Sequence, residues 1–330
     1  ESLCGSIEYS LLCVSTQAGL ELKQFIASPV ELQFVTDSGG LRAVCGIVAA
    51  AAEGQGDGGL ATYQLVVRDA FALLDKTSNT RVFRNASEAD ITDIVLKEFR
   101  QANPVAARAF AYDLGGLKSY PQREFTMQYN ESTGAFLRRL WKRRGISWFI
   151  QPGAASERGS DDTPLHTLVL FDDATALKRN AGGAVRFHRD DATEVRDVIT
   201  AWHAVRTLTP GKIGRQSWDY ASSGPTTTQE SGMNDQGEQG NRFAASLDDY
   251  LVDAPHVGDN DADYRSLGVA RIQRHEYEAK SFQGEGSERN MCVGQWNTIV
   301  GHPELDDHPE AERDFEWPDE VDLPGWRPPR

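Results

Sequence analysis

Positive charge is scarce in this chain. Its 330 residues carry 34 Lys and Arg against 49 Asp and Glu, a formal net charge of −15. A polyanion is held by a basic face that gathers phosphates, so nucleic acid is not an expected partner. Cysteine is scarce too: Cys4, Cys13, Cys45 and Cys292 stand far apart, with no Cys-x-x-Cys pair. That spacing suits neither a zinc site nor a dense disulfide framework, and it fits four idle thiols in a reducing compartment. No run of about 18 uncharged apolar residues is present, so no membrane-spanning helix is expected. The chain opens at Glu1 without a basic segment leading into an apolar one, as expected of a processed protein or, the preferred reading, of a sequence that begins inside a longer protein.

Catalytic signatures are missing as well. There is no Gly-x-Ser-x-Gly elbow to seat a nucleophilic serine, and no cysteine with a matched histidine stands out. The glycine-rich stretch Gly54 to Gly59 leads into a strand pattern, whereas a phosphate cradle needs a helix N-terminus there; it reads as a loop. His275-Glu276-Tyr277-Glu278-Ala279 has alanine where the zincin helix needs its second histidine. His302 and His308 bracket Glu304, Asp306 and Asp307, but two prolines and dense acidity mark a solvated loop. The carboxylate pairs Asp172-Asp173, Asp190-Asp191 and Asp248-Asp249 lie beside turn residues, where carboxylates cap the backbone or face water. No cofactor or metal is expected.

What is present is ordinary soluble-protein material, with 39% hydrophobic and 25% charged residues and a length that predicts about two domains or three small ones. The first 85 residues read as strands. Ser6 to Ser15 is β-prone, Val30 to Phe34 alternates, and the turn Asp37-Ser38-Gly39-Gly40 returns into Leu41 to Ala52 as a hairpin. Leu60 to Arg68 follows with Tyr63, Leu65 and Val67 on one face, and the series of antiparallel strands points to a small barrel or sandwich.

The period then changes. Ser87 and Asp90 form an N-cap pattern ahead of Ile91, Ile94, Val95 and Phe99 at helical spacing, and this helix stops before Asn103-Pro104. Phe125, Met127 and Tyr129 alternate as a strand. Ser132 caps a second helix whose apolar stripe is Phe136, Leu137, Leu140 and Trp141, with Gly145 at the C′ position. Strands at Ile146 to Ile150 and Leu165 to Phe171 complete a compact α+β unit. From Val185 the chain reads as β again, anchored by Val195, Ile199, Trp202, Val205 and Leu208, and Gly224 to Asn241 reads as a mobile polar loop. Between Gly301 and Arg330, ten acidic residues face three arginines among several prolines, as in an acidic tail or linker. Arg138, Arg139, Lys142, Arg143 and Arg144 form the one basic run; they complement the helix dipole or offer a contact surface to an acidic partner.

The order of these blocks resembles the N-terminal base of the VgrG family, the type VI secretion spike, itself similar to the baseplate hub of contractile phage tails. Ile7 to Leu12 resembles the family's opening strand, and Arg42-Ala43-Val44-Cys45-Gly46-Ile47-Val48 its R-x-F-x-G-I-V strand. Tyr63 to Arg68 falls in the expected place, and Arg81-Val82-Phe83-Arg84-Asn85 with Asp90-Ile91 matches the entry into the first helix. The most specific block is Gln128-Tyr129-Asn130-Glu131-Ser132, Phe136, Arg139-Leu140 and Gly145-Ile146. Gly294 to Pro303 is similar to G-x-x-F-x-L-x-G-H-P, with Trp296 in place of the usual phenylalanine. Lys142, Arg143 and Arg144 stand where the family usually carries glutamates. After Pro303 no needle domain is recognisable.

The resemblance implies a mainly β protein with an α+β insert: two similar tube-forming β-barrel domains (1–84 and 186–303) flanking a small α+β domain (85–185), with an acidic Pro-rich tail or linker at 304–330. It implies a non-enzymatic hub, a homotrimer that adapts an Hcp-like hexameric tube to a threefold needle and works with baseplate components, effectors or their adaptors. A needle-tip protein would be reached only through a C-terminal needle. Such a hub assembles in the cytoplasm and is then secreted or delivered into a target cell. Phe136, Leu140 and Trp141 are expected to pack the insert, and Arg138, Lys142 and Arg143 are the interface candidates. A phage or phage-like tail baseplate hub is the near alternative. A β-barrel hydrolase acting on carbohydrate or peptide, or a monomeric binding module, is the distant one.

Overall fold

The computed structural model describes residues 1–56, 58–153, 163–189 and 196–302. Asp190-Asp191, Val195, the acidic cluster around Asp306 and the 304–330 tail lie outside the described residues. The chain divides into two compact units.

The first unit holds Glu1–Lys142, Ile146–Lys178 and Cys292–Gly294. Its opening strands are β1 (Glu8–Ser15), β2 (Pro29–Val35), β3 (Leu41–Glu53) and β4 (Ala61–Arg68). They form an antiparallel sheet ordered β1-β4-β3-β2. The hairpin predicted around Asp37–Gly40 is present, with Val35 opposite Leu41, and Leu60–Arg68 forms the strand expected of it. A short α1 (Ala70–Leu73) follows, then β5 (Ser78–Phe83), α2 (Glu88–Ala102), α3 (Pro104–Ala109), β6 (Phe110–Gly116), β7 (Thr126–Ser132), α4 (Thr133–Arg144), β8 (Ser147–Pro152) and β9 (His166–Phe171).

Local chemistry sets these helix ends. Ser87 and Asp90 make a reciprocal capping box on α2. Asn103 ends α2 and caps α3, accepting from the amides of Val105 and Ala106, and Pro104 takes the first helical position, where no amide is needed. In α2, Ile91, Val95 and Leu96 are buried while Ile94 is 39% exposed, so the buried stripe is rotated from the expected one. In α4 the stripe Phe136, Leu137, Leu140 and Trp141 is buried as expected, Ser132 Oγ accepts from the Ala135 amide, and Gly145 turns the chain at φ 71°. Phe71 stacks on Trp141 and meets Trp148 edge-on, each with ring centres 5.0 Å apart.

The β7 face is reversed from expectation. Thr126 and Gln128 point inward, and Phe125 and Tyr129 are exposed. Gln128 is tolerated inside because its amide donates to the Glu131 carbonyl at 3.1 Å and its Oε1 accepts from Arg81 Nε at 3.3 Å.

One buried polar junction ties β1, α1 and β9. Asp69 accepts from the amides of Ile7 and Ala72, both at 2.8 Å, and the amide of Ala70 donates to His166 Nε2 at 2.8 Å. His166 is fully buried, and burial drives its pKa from 6.5 down to about 3. The folded protein therefore holds it neutral, while the unfolded chain takes up a proton as pH falls through about 6.5. Stability from this group is complete above that pH and declines toward pH 3, by about 2 kcal/mol between pH 6.5 and 5. Urea unfolding at pH 7 and pH 5 should show that loss in the parent. It should be absent in His166→Gln, which retains an acceptor for Ala70 but does not titrate; equal losses in both would contradict a buried neutral imidazole.

The second unit holds Arg143–Gly145, Arg179–Met291 and Gln295–Arg330. Its strands are β10 (Lys178–Phe187), β11 (Val198–Arg206), β12 (Lys212–Asp219), β13 (Gly224–Ser231), β14 (Asp248–Val252), β15 (Lys280–Gly286) and β16 (Gln295–Val300), with α5 (Gly237–Ala244) and α6 (Asp261–Ala279). One sheet is ordered β15-β11-β10-β16 and a second β13-β12-β14. Val185, Phe187, Ile199 and Ile299 form the apolar cluster of the first, with Trp202 against it. β11 and β15 are antiparallel neighbours, with Arg206 opposite Lys280, so the whole β12–α6 segment leaves and re-enters at one point.

Gly224 to Asn241, expected as a mobile loop, instead supplies β13 and the start of α5. Threonine is β-branched and suits a strand, and β13 pairs along its full length with β12. Leu208, expected as an anchor, is exposed.

Candidate interface surfaces

The basic run on α4 is the first candidate. Arg138 Nη2 lies 2.6 Å from Asp75 Oδ1, and its guanidinium sits 5.6 Å from the Phe71 ring centre. Arg139 holds both Glu131 oxygens, at 2.5 and 3.2 Å, and donates to the Met127 carbonyl at 2.9 Å. Arg143 donates to the Val257 carbonyl, and Arg144 pairs with Asp263, both side chains almost fully buried. Lys142 is exposed and has no partner among the described residues. The run is therefore largely engaged within the chain. Of the three candidates, Arg138 and Arg143 hold intrachain bonds, and Lys142 is exposed without a partner among the described residues.

The two described carboxylate pairs, Asp172-Asp173 and Asp248-Asp249, are engaged within the chain. Asp172 accepts from the Tyr120 hydroxyl at 2.5 Å and from the Lys118 amide at 3.1 Å, and Asp173 caps a short helical turn through the Thr175 amide. Asp248 lies 3.7 Å from Lys212 Nζ. Asp249 receives Arg215 Nη2 at 2.6 Å and His275 Nε2 at 2.9 Å. Burial works against the Asp249 carboxylate, yet those two hydrogen bonds outweigh it and hold its pKa below the ordinary value. His275 thus serves the packing of α6, consistent with the failed zincin spacing. His302 is buried against Phe187, ring centres 4.3 Å apart. Among the described residues, no group of three or more His, Cys, Asp or Glu is placed to hold a metal, and no helix is long and apolar enough to cross a membrane.

Open strand edges are the other candidate surfaces, and sequence reasoning passed over the sharpest of them. β1 and β2 end the first sheet and β14 ends another. β1 exposes Leu12 and Val14, and β14 exposes Tyr250, Leu251 and Val252. The signal available in the sequence was the uncharged run that follows Asp248-Asp249.

The chain is mainly β, and open sheet edges are its conspicuous surface features among the described residues. The phage tail baseplate hub (GPD) family matches residues 1–316, and the chain belongs to that family. The type VI secretion system spike protein VgrG1c of Pseudomonas aeruginosa is 25% identical over 312 residues, covering 94% of this chain and 40% of that protein. VgrG4b of the same organism is 26% identical over 322 residues, 96% of this chain and 36% of that protein. The chain thus spans well under half the length of these relatives. Among solved structures, an E. coli component of the type VI secretion system, described as structurally similar to the T4 bacteriophage tail proteins gp27 and gp5, matches with a TM-score of 0.60. That match has 14% identity and covers 92% of this chain and 62% of the other, a likeness of fold.

Proposed function

We propose that this chain is the base of a type VI secretion spike, a non-enzymatic hub that trimerises and adapts a hexameric Hcp-like tube to a threefold needle for effector delivery. The observation that carries the reading is the hub-family match over residues 1–316 together with about 25% identity to spike proteins across nearly all of the chain. In this reading 1–84 and 186–303 are tube-forming β-barrel domains, 85–185 is the α+β insert and 304–330 an acidic linker. The uncovered edges of β1 and β2 support it, since neighbours in a closed ring satisfy edges that a monomer leaves open. Arg138, Lys142 and Arg143 are proposed contact residues, Lys142 foremost because no described residue engages it. Baseplate components and effectors or their adaptors are the further partners, and the hub assembles in the cytoplasm before it is secreted or delivered.

A phage-type tail hub is the second reading, favoured by the family's own description. Absolute mass by light scattering across a concentration series tests assembly. Three times 36.4 kDa is expected of the ring, and a monomer at every concentration would remove trimerisation from this segment. Stacking on purified tube protein from a type VI or a phage source then separates the two readings.

A further inference from the structure

The sheet β13-β12-β14 is layered on one side. Ile213, Arg215 and Thr228 are buried on the face that α6 covers, while Trp218 and Gln229 are exposed on the other. β14 runs parallel to β12 as the end strand of this sheet. Its register sets Tyr250 beside Gly214 and Val252 beside Gln216 on the open face, and Leu251 beside Arg215 on the α6 face. The Tyr250 ring lies down over Gly214, where a Cβ would come within 2.9 Å of it, and its hydroxyl donates to Gln216 Oε1 at 2.9 Å. All three apolar residues nevertheless remain exposed: Tyr250 at 57%, Leu251 at 53% and Val252 at 63%.

Proteins ordinarily blunt such an edge with short length, charged side chains, proline or a bulge, because open amides and carbonyls beside apolar side chains invite pairing. In β14 the charges are confined to Asp248 and Asp249 at its start. Tyr250–Val252 has no charge, proline or bulge. The two carboxylates that open β14 are already met, Asp248 by Lys212 and Asp249 by Arg215 and His275. Each acid at this edge of a chain of net charge −15 already has a cation within 4 Å.

We propose that β14 is an acceptor edge at which another protein adds an extended, uncharged segment as the next strand of the sheet. Geometry separates this from a ligand lying on the open face. Such a ligand covers Tyr250 and Val252 but leaves Leu251 exposed on the opposite side. A strand laid beside β14 sends alternate side chains to both faces and shelters all three residues. The charge pattern specifies the occupant: a basic segment finds no free carboxylate at the edge, and an acidic one meets the protein's own negative field. The proposal does not rest on ring assembly, which the mass measurement tests separately.

Hydrogen exchange of the full chain, with and without a synthetic heptapeptide of alternating threonine and valine at about 1 mM, reads the edge directly. The amides of Asp248–Val252 are expected to exchange at least about fivefold more slowly with peptide. That protection should be lost in Leu251→Lys, a change at a half-exposed position whose fold is checked by thermal melting. It should survive in Gln229→Lys, which alters the open face away from the edge. No protection at 248–252 overturns the proposal. So does protection that Gln229→Lys also abolishes, which would indicate a ligand on the face. Protection that arises without peptide as concentration rises, with a doubled mass, assigns the edge to a second copy and overturns it as well.

Discussion

Replacing Trp141 with alanine is expected to lower the stability of the first unit by about 3–5 kcal/mol. The indole is almost fully buried, stacks on Phe71 with ring centres 5.0 Å apart, and meets Trp148 at 5.9 Å. Its Nε1 donates to Thr92 Oγ1 at 2.9 Å, and that hydroxyl also donates to the Glu88 carbonyl at 2.7 Å. Thr92 therefore keeps a partner when the indole is gone, and the expected cost is that of a cavity between α2, α4 and β8 rather than of an orphaned polar group. Urea titration of Trp141→Ala and Trp141→Phe against the parent measures it. The phenylalanine variant should retain a substantial part of the stability, since a ring still packs on Phe71. A loss below about 1 kcal/mol for alanine would mean that the surrounding aromatics close the space.

The second large effect lies at Arg144. Its guanidinium pairs with Asp263, with side-chain exposures of 3% and 2%. Asp263 also accepts from the Asp259 amide at 3.1 Å. Arg144→Leu leaves the carboxylate buried without its counter-charge, and a loss of about 3–5 kcal/mol is expected. Asp263→Leu should cost a similar amount for the opposite reason. The double variant should recover most of it, because two apolar side chains replace the pair without leaving a charge. A double-mutant cycle from denaturant unfolding supplies the comparison. Simple additivity of the two single losses would show that the ion pair is not the coupling between these positions.

Legibility in the sequence followed how local the governing physics was. α4 could be read because its cap at Ser132, its stripe and its C′ glycine all sit within one short stretch and agree. The β7 face could not. Three apolar side chains at every second position pointed one way, and what decided the other was Gln128, whose partners include Arg81, far away in sequence. α6 was missed although Asn260 caps it by accepting from the Asp263 amide at 2.9 Å. Its buried face alternates Tyr264, Leu267 and Ile272 with Gly268 and His275, so the apolar period is diluted. Gly268 is needed there because a Cβ would fall 2.7 Å from Thr228 Oγ1, and His275 because it bonds Asp249; both are tertiary reasons. The basic run was plain in the sequence, but its neutralisation by Asp75, Glu131 and Asp263 was not, since each acid arrives from another element.

The pairing of Arg206 with Lys280 has a consequence for how such a gene can change. To the sheet ordered β15-β11-β10-β16, everything from 207 to 279 is the connection of a single hairpin, entered and left at adjacent positions. The entropy of closing a connection grows slowly with its length, about 0.6 kcal/mol for each doubling. A crossover at those two codons would bring in or remove a complete cassette of strands and helices, and the sheet that receives it would keep its register throughout.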